Sequence, residues 1–72
     1  LQATGRVQVQ VDQLRLRSRE SLSSPIIGHA ENGRSYPVYE VIQNDDYTWY
    51  WLGYDYGYIA SKEGEWTLYQ AN

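Results

Sequence analysis

The residues able to do chemistry are few. Nine acidic side chains and one histidine stand in 72 residues, with no cysteine. Nucleophilic catalysis finds no starting point, because cysteine is absent and no G-x-S-x-G signature occurs. Two opposed carboxylates would suffice for glycoside cleavage. Yet Glu63 and Glu65 fall in the turn-like run EGEW, and Asp12 stands beside a strand end, so a desolvated pair is not expected. His29 has no second histidine or cysteine with which to share a zinc ion. Asp45 and Asp46 read as a turn, since the spaced acids and glycine of a calcium loop are missing. No catalytic residue, metal ligand or cofactor is therefore expected. Arg15, Arg17 and Arg19 alternate along one side of an extended segment. Such a row either grips an anion or pairs across strands with Glu20, Glu31 or Glu40, and the pairing is the reading adopted.

What remains is aromatic. Residues 47–58 read YTWYWLGYDYGY, and seven of these twelve are tyrosine or tryptophan. Each such ring can bury about 150–250 Å². The rings are therefore either the core of a small domain or a surface for a ligand. Size favours the first use. A chain near this length buries only about 60% of the surface its unfolded form exposes, and without cysteine no disulfide can compensate. Net charge is −3, with a single lysine. That balance disfavours nucleic acid and anionic membranes, whose binders carry basic faces. No apolar run approaches the roughly 20 residues of a membrane span. The chain starts at Leu1 and contains no methionine, and it is read as one module of a longer protein.

The elements that must position these rings are strands. RVQVQV (6–11) and LRLR (14–17) alternate apolar and polar residues, the period of a half-buried strand. SRESLSS (18–24) reads as a loop, and Ile26-Ile27 as a short strand ending at Gly28. Asn32-Gly33 signals a tight turn. SYPVYEVIQ (35–43) is a strand whose Pro37 belongs at an edge or bulge. Asn44-Asp45-Asp46 turns the chain into YTWYWL (47–52), Gly53 and Gly57 bracket a reversal into YGYIAS (56–61), and WTLY (66–69) closes the chain. The expected fold is all-β, with five to seven short, mostly antiparallel strands in a small barrel or sandwich. Val7, Val9, Leu14, Leu16, Ile27, Val38, Tyr50, Leu52 and Ile59 are expected inward.

Taken in order, LRLRS (14–18), PIIGHAENGRSYPV (25–38), YTWYWL (47–52), GYIA (57–60) and EWTLY (65–69) resemble the strand motifs of the bacterial SH3-type domain, called SH3b. The resemblance spans roughly residues 6–69. Arg19-Glu20 replaces the family's usual Gly-Pro, and Trp51 stands where lysine is common. The resemblance implies an SH3-like barrel over residues 6–70, with 1–5 as a linker or terminal remnant. It also implies a setting: such modules accompany secreted peptidoglycan hydrolases and phage endolysins and hold them on the bacterial cell wall.

Strand parity divides the rings. Leu52 marks the inward face of its strand, so Tyr50 is inward and Trp49 and Trp51 are outward. Ile59 marks the inward face of the return strand, leaving Tyr56 and Tyr58 outward, with Tyr54 at the turn. Trp49, Trp51, Tyr54, Tyr56 and Tyr58 are therefore the candidate ligand-binding residues. The expected function is non-catalytic: an extracellular module that binds peptidoglycan, its peptide or an attached glycan, and is joined to a catalytic domain. The alternative is a protein-interaction module that docks on its own catalytic domain or takes a proline-rich peptide.

Overall fold

The computed structural model describes residues 1–44, 46–62 and 65–72. Every regular element among them is a strand. These are β1 (Gly5–Val9), β2 (Leu14–Arg17), β3 (Ile26–Ala30), β4 (Ser35–Val38), β5 (Glu40–Asn44), β6 (Tyr47–Trp51), β7 (Tyr58–Ser61) and β8 (Thr67–Ala71). Eight strands exceed the five to seven expected, because SYPVYEVIQ is not one strand. It breaks at Tyr39, and its halves serve different sheets. Two antiparallel sheets result, one ordered β4-β1-β8 and the other β3-β2-β7-β6-β5. Among the described residues no helix is long and apolar enough to cross a membrane.

Local chemistry accounts for the turns and breaks. Pro37 lies in β4, an edge strand, where its missing N–H removes no ladder bond. Gly33 adopts φ +87°, and Arg34 N–H donates to Glu31 O to close the turn at Asn32-Gly33. Gly53 and Gly57 also hold positive φ, +93° and +80°. Leu52 N–H donates to Gly57 O (2.8 Å) and Gly57 N–H to Gly53 O (2.9 Å), so the reversal is hydrogen-bonded within itself. The expected turns at Asn44-Asp45-Asp46 and EGEW reach Asp45 and Glu63-Gly64, which lie outside the described residues. On either side of the first, Asn44 pairs with Tyr47.

Residues before Arg6 join the fold. Gly5 pairs with Val38 on one side and Ala71 on the other. Thr4 N–H donates to Val38 O (2.7 Å), and Asn72 N–H to Thr4 O (2.9 Å). Gly5 is fixed by crowding: a Cβ there would strike Gln70 O and the Tyr69 ring.

The inner core lies between the sheets. It contains Val7, Val9, Leu16, Ala30, Tyr36, Val38, Tyr50, Leu52 and Ile59, with Leu14 partly buried beside it. Tyr50 stacks on Tyr69 at 5.3 Å between centroids. Ile27 departs from its expected place and is 54% exposed. Between β2 and β3 the register shifts: Leu16 pairs with Gly28 but Arg17 with Ile26. Ile27 is the extra residue of this bulge, which breaks alternation and leaves both isoleucines outside.

A second core covers the opposite face of the larger sheet. Trp49, Tyr58 and Ala60 are buried there, with Ile42, Tyr47, Trp51 and Trp66 packed against them. All four residues of β7 are consequently buried. Loop 18–24 lies along this face, with Arg19 over the Tyr58 ring at 5.8 Å and Leu22 bordering the groove that contains Ala60 and Trp66. Asn44 Nδ2 donates to Glu20 O (3.1 Å), and Arg17 Nη1 to Ser24 O (2.8 Å), which ties the loop down. Apolar burial contributes roughly 25 cal/mol per Å². Using both faces of one sheet raises the buried area of a short chain that has no disulfide.

Candidate functional site

Parity placed Trp49, Trp51 and Tyr58 on the same face, but coverage separates them. Trp49 is only 1% exposed, so the expectation of an outward ring available to a ligand is corrected for this residue. Tyr47, Trp66 and the rim of loop 18–24 close over it. Tyr58 is 9% exposed and forms a floor rather than a free surface. Tyr56 departs from its expected outward strand position, although it stays half-exposed and lines one concavity with Tyr39 and Tyr54. The two positive-φ glycines break strand parity before β7 begins, and Tyr56 packs edge-on against Tyr36 of the inner core at 5.1 Å and 78°. Its hydroxyl accepts from Arg34 Nη2 (3.1 Å), while the same guanidinium lies over both tyrosine rings. Tyr56 is therefore locked in a structural cluster.

Trp51 and Tyr54 remain accessible and meet. Tyr54 is 87% exposed, and its ring stands nearly perpendicular to Trp51 at 5.0 Å. Trp51 continues inward by stacking on Tyr58 at 6.3 Å, and Tyr39 flanks it at 5.8 Å. The site is thus a stepped aromatic surface of Tyr39, Trp51, Tyr54 and Tyr58. Each ring comes from a different local feature: the break between β4 and β5, the end of β6, the glycine-bracketed turn, and the start of β7. The ladder fixes the registration, since Trp51 pairs with Glu40 on one side and Tyr58 on the other.

Tyr39 was not singled out from the sequence. Its signal was Pro37 two residues earlier, which foretells a strand break and so a side chain freed from alternation. Tyr39 N–H still donates to Trp51 O (2.9 Å), which holds the two rings together. Gly53 makes room for Tyr39, because a Cβ there would come within 2.9 Å of its Cε2.

The rim is charged. Arg19 pairs with Glu20 at 3.1 Å, both beside Tyr58. Burial raises the Tyr58 phenol above its usual pKa; the Glu20 carboxylate adds to the rise, Arg19 opposes it, and Glu40 and Tyr54 add further. The phenol therefore stays protonated and keeps a hydrogen to donate. Phenol hydroxyls, an indole and paired charges around flat rings suit a neutral ligand bearing amides or hydroxyls.

The remaining candidates are dispersed. Arg17 grips a backbone carbonyl, and of the expected cross-strand arginine pairs the described residues contain none; the ion pair found joins neighbours, Arg19 and Glu20. His29 is exposed opposite Arg15. Asp12 Oδ1 accepts from Asn32 Nδ2 (3.1 Å), and Glu65 is exposed. Glu63 lies outside the described residues. Among the described residues no group of three His, Cys, Asp or Glu side chains is placed to hold a metal ion. Comparison of the chain with protein-family models, with curated proteins and with solved structures returns no match.

Proposed function

We propose that this chain is a non-catalytic binding module of the bacterial SH3 type, a small SH3-like barrel that holds a larger secreted hydrolase on the cell wall. The observation that supports the reading most is the contact of exposed Tyr54 with half-buried Trp51, backed by Tyr39 and Tyr58. A monomer rarely leaves adjoining aromatic rings in water unless they contact a partner. The ligand would be peptidoglycan, its peptide or an attached glycan, whose sugar rings and amides present flat faces to the rings. The net charge of −3 argues against nucleic acid and anionic membrane as partners. The place of action would be outside the cell, with a covalently linked catalytic domain supplying the chemistry.

The test is sedimentation of the chain with purified bacterial cell walls. The parent should pellet with the walls and the variant Tyr54→Ala should stay largely in solution. A parent that remains in the supernatant overturns the reading.

A second reading, docking on a neighbouring protein domain, draws on a different observation. Ile26 and Ile27 are exposed on β3, an edge strand of the larger sheet. Added strand pairing there would bury both. Replacing Ile27 with Lys would separate the two readings, since it abolishes docking and leaves wall binding in place.

A further inference from the structure

A second concavity lies away from the Trp51–Tyr54 surface, beyond Leu22. It is a groove of about 270 Å³ between the Asp12-Gln13 turn, β2, Leu22 and Trp66. Val11, Leu14 and Ala60 give it an apolar lining. Arg15 and Arg17 supply two positive charges at its wall, and Asp12 one negative charge. Arg17 is engaged with Ser24 O, and Asp12 with Asn32. Arg15 is exposed, and among the described residues no carboxylate lies within ion-pair distance of it.

The Asp12-Gln13 turn is unusual in one respect. Gln13 has φ +57°, the one non-glycine residue with positive φ among those described. L-residues rarely hold this conformation without a compensating role, and such residues gather at ligand sites. Here it places a long amide-bearing residue at the groove's edge.

We propose that this groove is a second binding site, which takes the free C-terminal end of a peptide whose last side chain is apolar. Arg15 pairs with the terminal carboxylate, and Trp66 with Val11 and Leu14 covers the side chain. Charge complementarity selects the occupant. The groove carries two guanidinium groups against one carboxylate, a net positive charge, so an apolar anion matches it and an apolar cation does not. Its volume sits just below the roughly 300–1,000 Å³ of small-molecule sites, which admits a chain end rather than a long segment. The site is separate from Trp51 and Tyr54 and does not depend on what those residues bind.

The experiment titrates the chain with N-acetyl-Ala-Leu, as the free acid and as the C-terminal amide, while the three indole N–H resonances are followed by NMR. Trp66 should shift. The acid should bind about tenfold more tightly than the amide, as expected for a charge-assisted hydrogen bond in a half-open groove. Arg15→Gln should abolish that preference and Arg15→Lys should keep part of it. The proposal is overturned if acid and amide bind alike, if Trp51 shifts in place of Trp66, or if Arg15→Gln still prefers the acid.

Discussion

Replacing Trp49 with alanine tests whether the second aromatic cluster is core or surface. Trp49 is 1% exposed and packs with Tyr58 and Ala60 under Tyr47 and Trp66. Truncating a buried tryptophan costs about 3–5 kcal/mol, part lost transfer and part cavity. A 72-residue domain has roughly 4–11 kcal/mol in all, at about 0.05–0.15 per residue. Trp49→Ala should thus remove a large share of the stability. At about 4–8 °C per kcal/mol for a domain of this size, the melting temperature should fall by roughly 12–40 °C, or the transition should vanish. Tyr54→Ala is the matched control, because an exposed site changes stability by no more than about 0.5 kcal/mol. The assay is thermal melting by circular dichroism for both variants beside the parent. A Trp49→Ala protein that melts within about 4 °C of the parent would refute the reasoning and return Trp49 to the surface.

Three other perturbations follow from the same packing. Gly57→Ala should destabilise by more than about 1 kcal/mol, since φ is +80° and the new Cβ would come within 2.5 Å of Arg17 O; denaturant titration measures it. Ser61 is fully buried, and among the described residues its hydroxyl has no hydrogen-bond partner, so Ser61→Ala should leave the melting temperature unchanged or raise it, by about 1 kcal/mol at most. Burial raises the phenols of Tyr50 and Tyr58 above 10.0. The stabilisation linked to them is complete below the unfolded value and is lost as pH climbs through the higher folded values. Denaturation midpoints should therefore fall above pH 10, and less steeply in Tyr50→Phe.

Alternation made much of this fold legible. Val7, Val9, Leu16, Val38, Tyr50, Leu52 and Ile59 are buried in the inner core where period two placed them. The residues that escaped show why. Ile27 sits at a bulge, and nothing in PIIG says where a ladder will slip. Tyr56 lies inside a turn, where parity has no meaning. Trp49 does face away from the inner core, but parity says which face a ring takes and not whether another element covers that face. That cover comes from Tyr47 on the same strand and from Trp66 and loop 18–24, the last two distant in sequence. Gly5 owes its place to Tyr69 and Gln70 at the other end of the chain. The candidate surface was half legible: Trp51 and Tyr54 stood out by type and position. Tyr39 joined them only through a strand break whose geometry the sequence marks with Pro37 alone.

The role of the stepped surface is most directly tested by titrating the chain with soluble peptidoglycan fragments while the Trp51 indole N–H is observed. Trp51 should shift in a saturable manner, and Tyr54→Ala should weaken the binding about five- to a hundred-fold, the loss of one stacked ring at about 1–3 kcal/mol. A Trp51 signal that does not move, or a Tyr54→Ala protein that binds as tightly as the parent, would contradict the assignment of this surface to the cell wall.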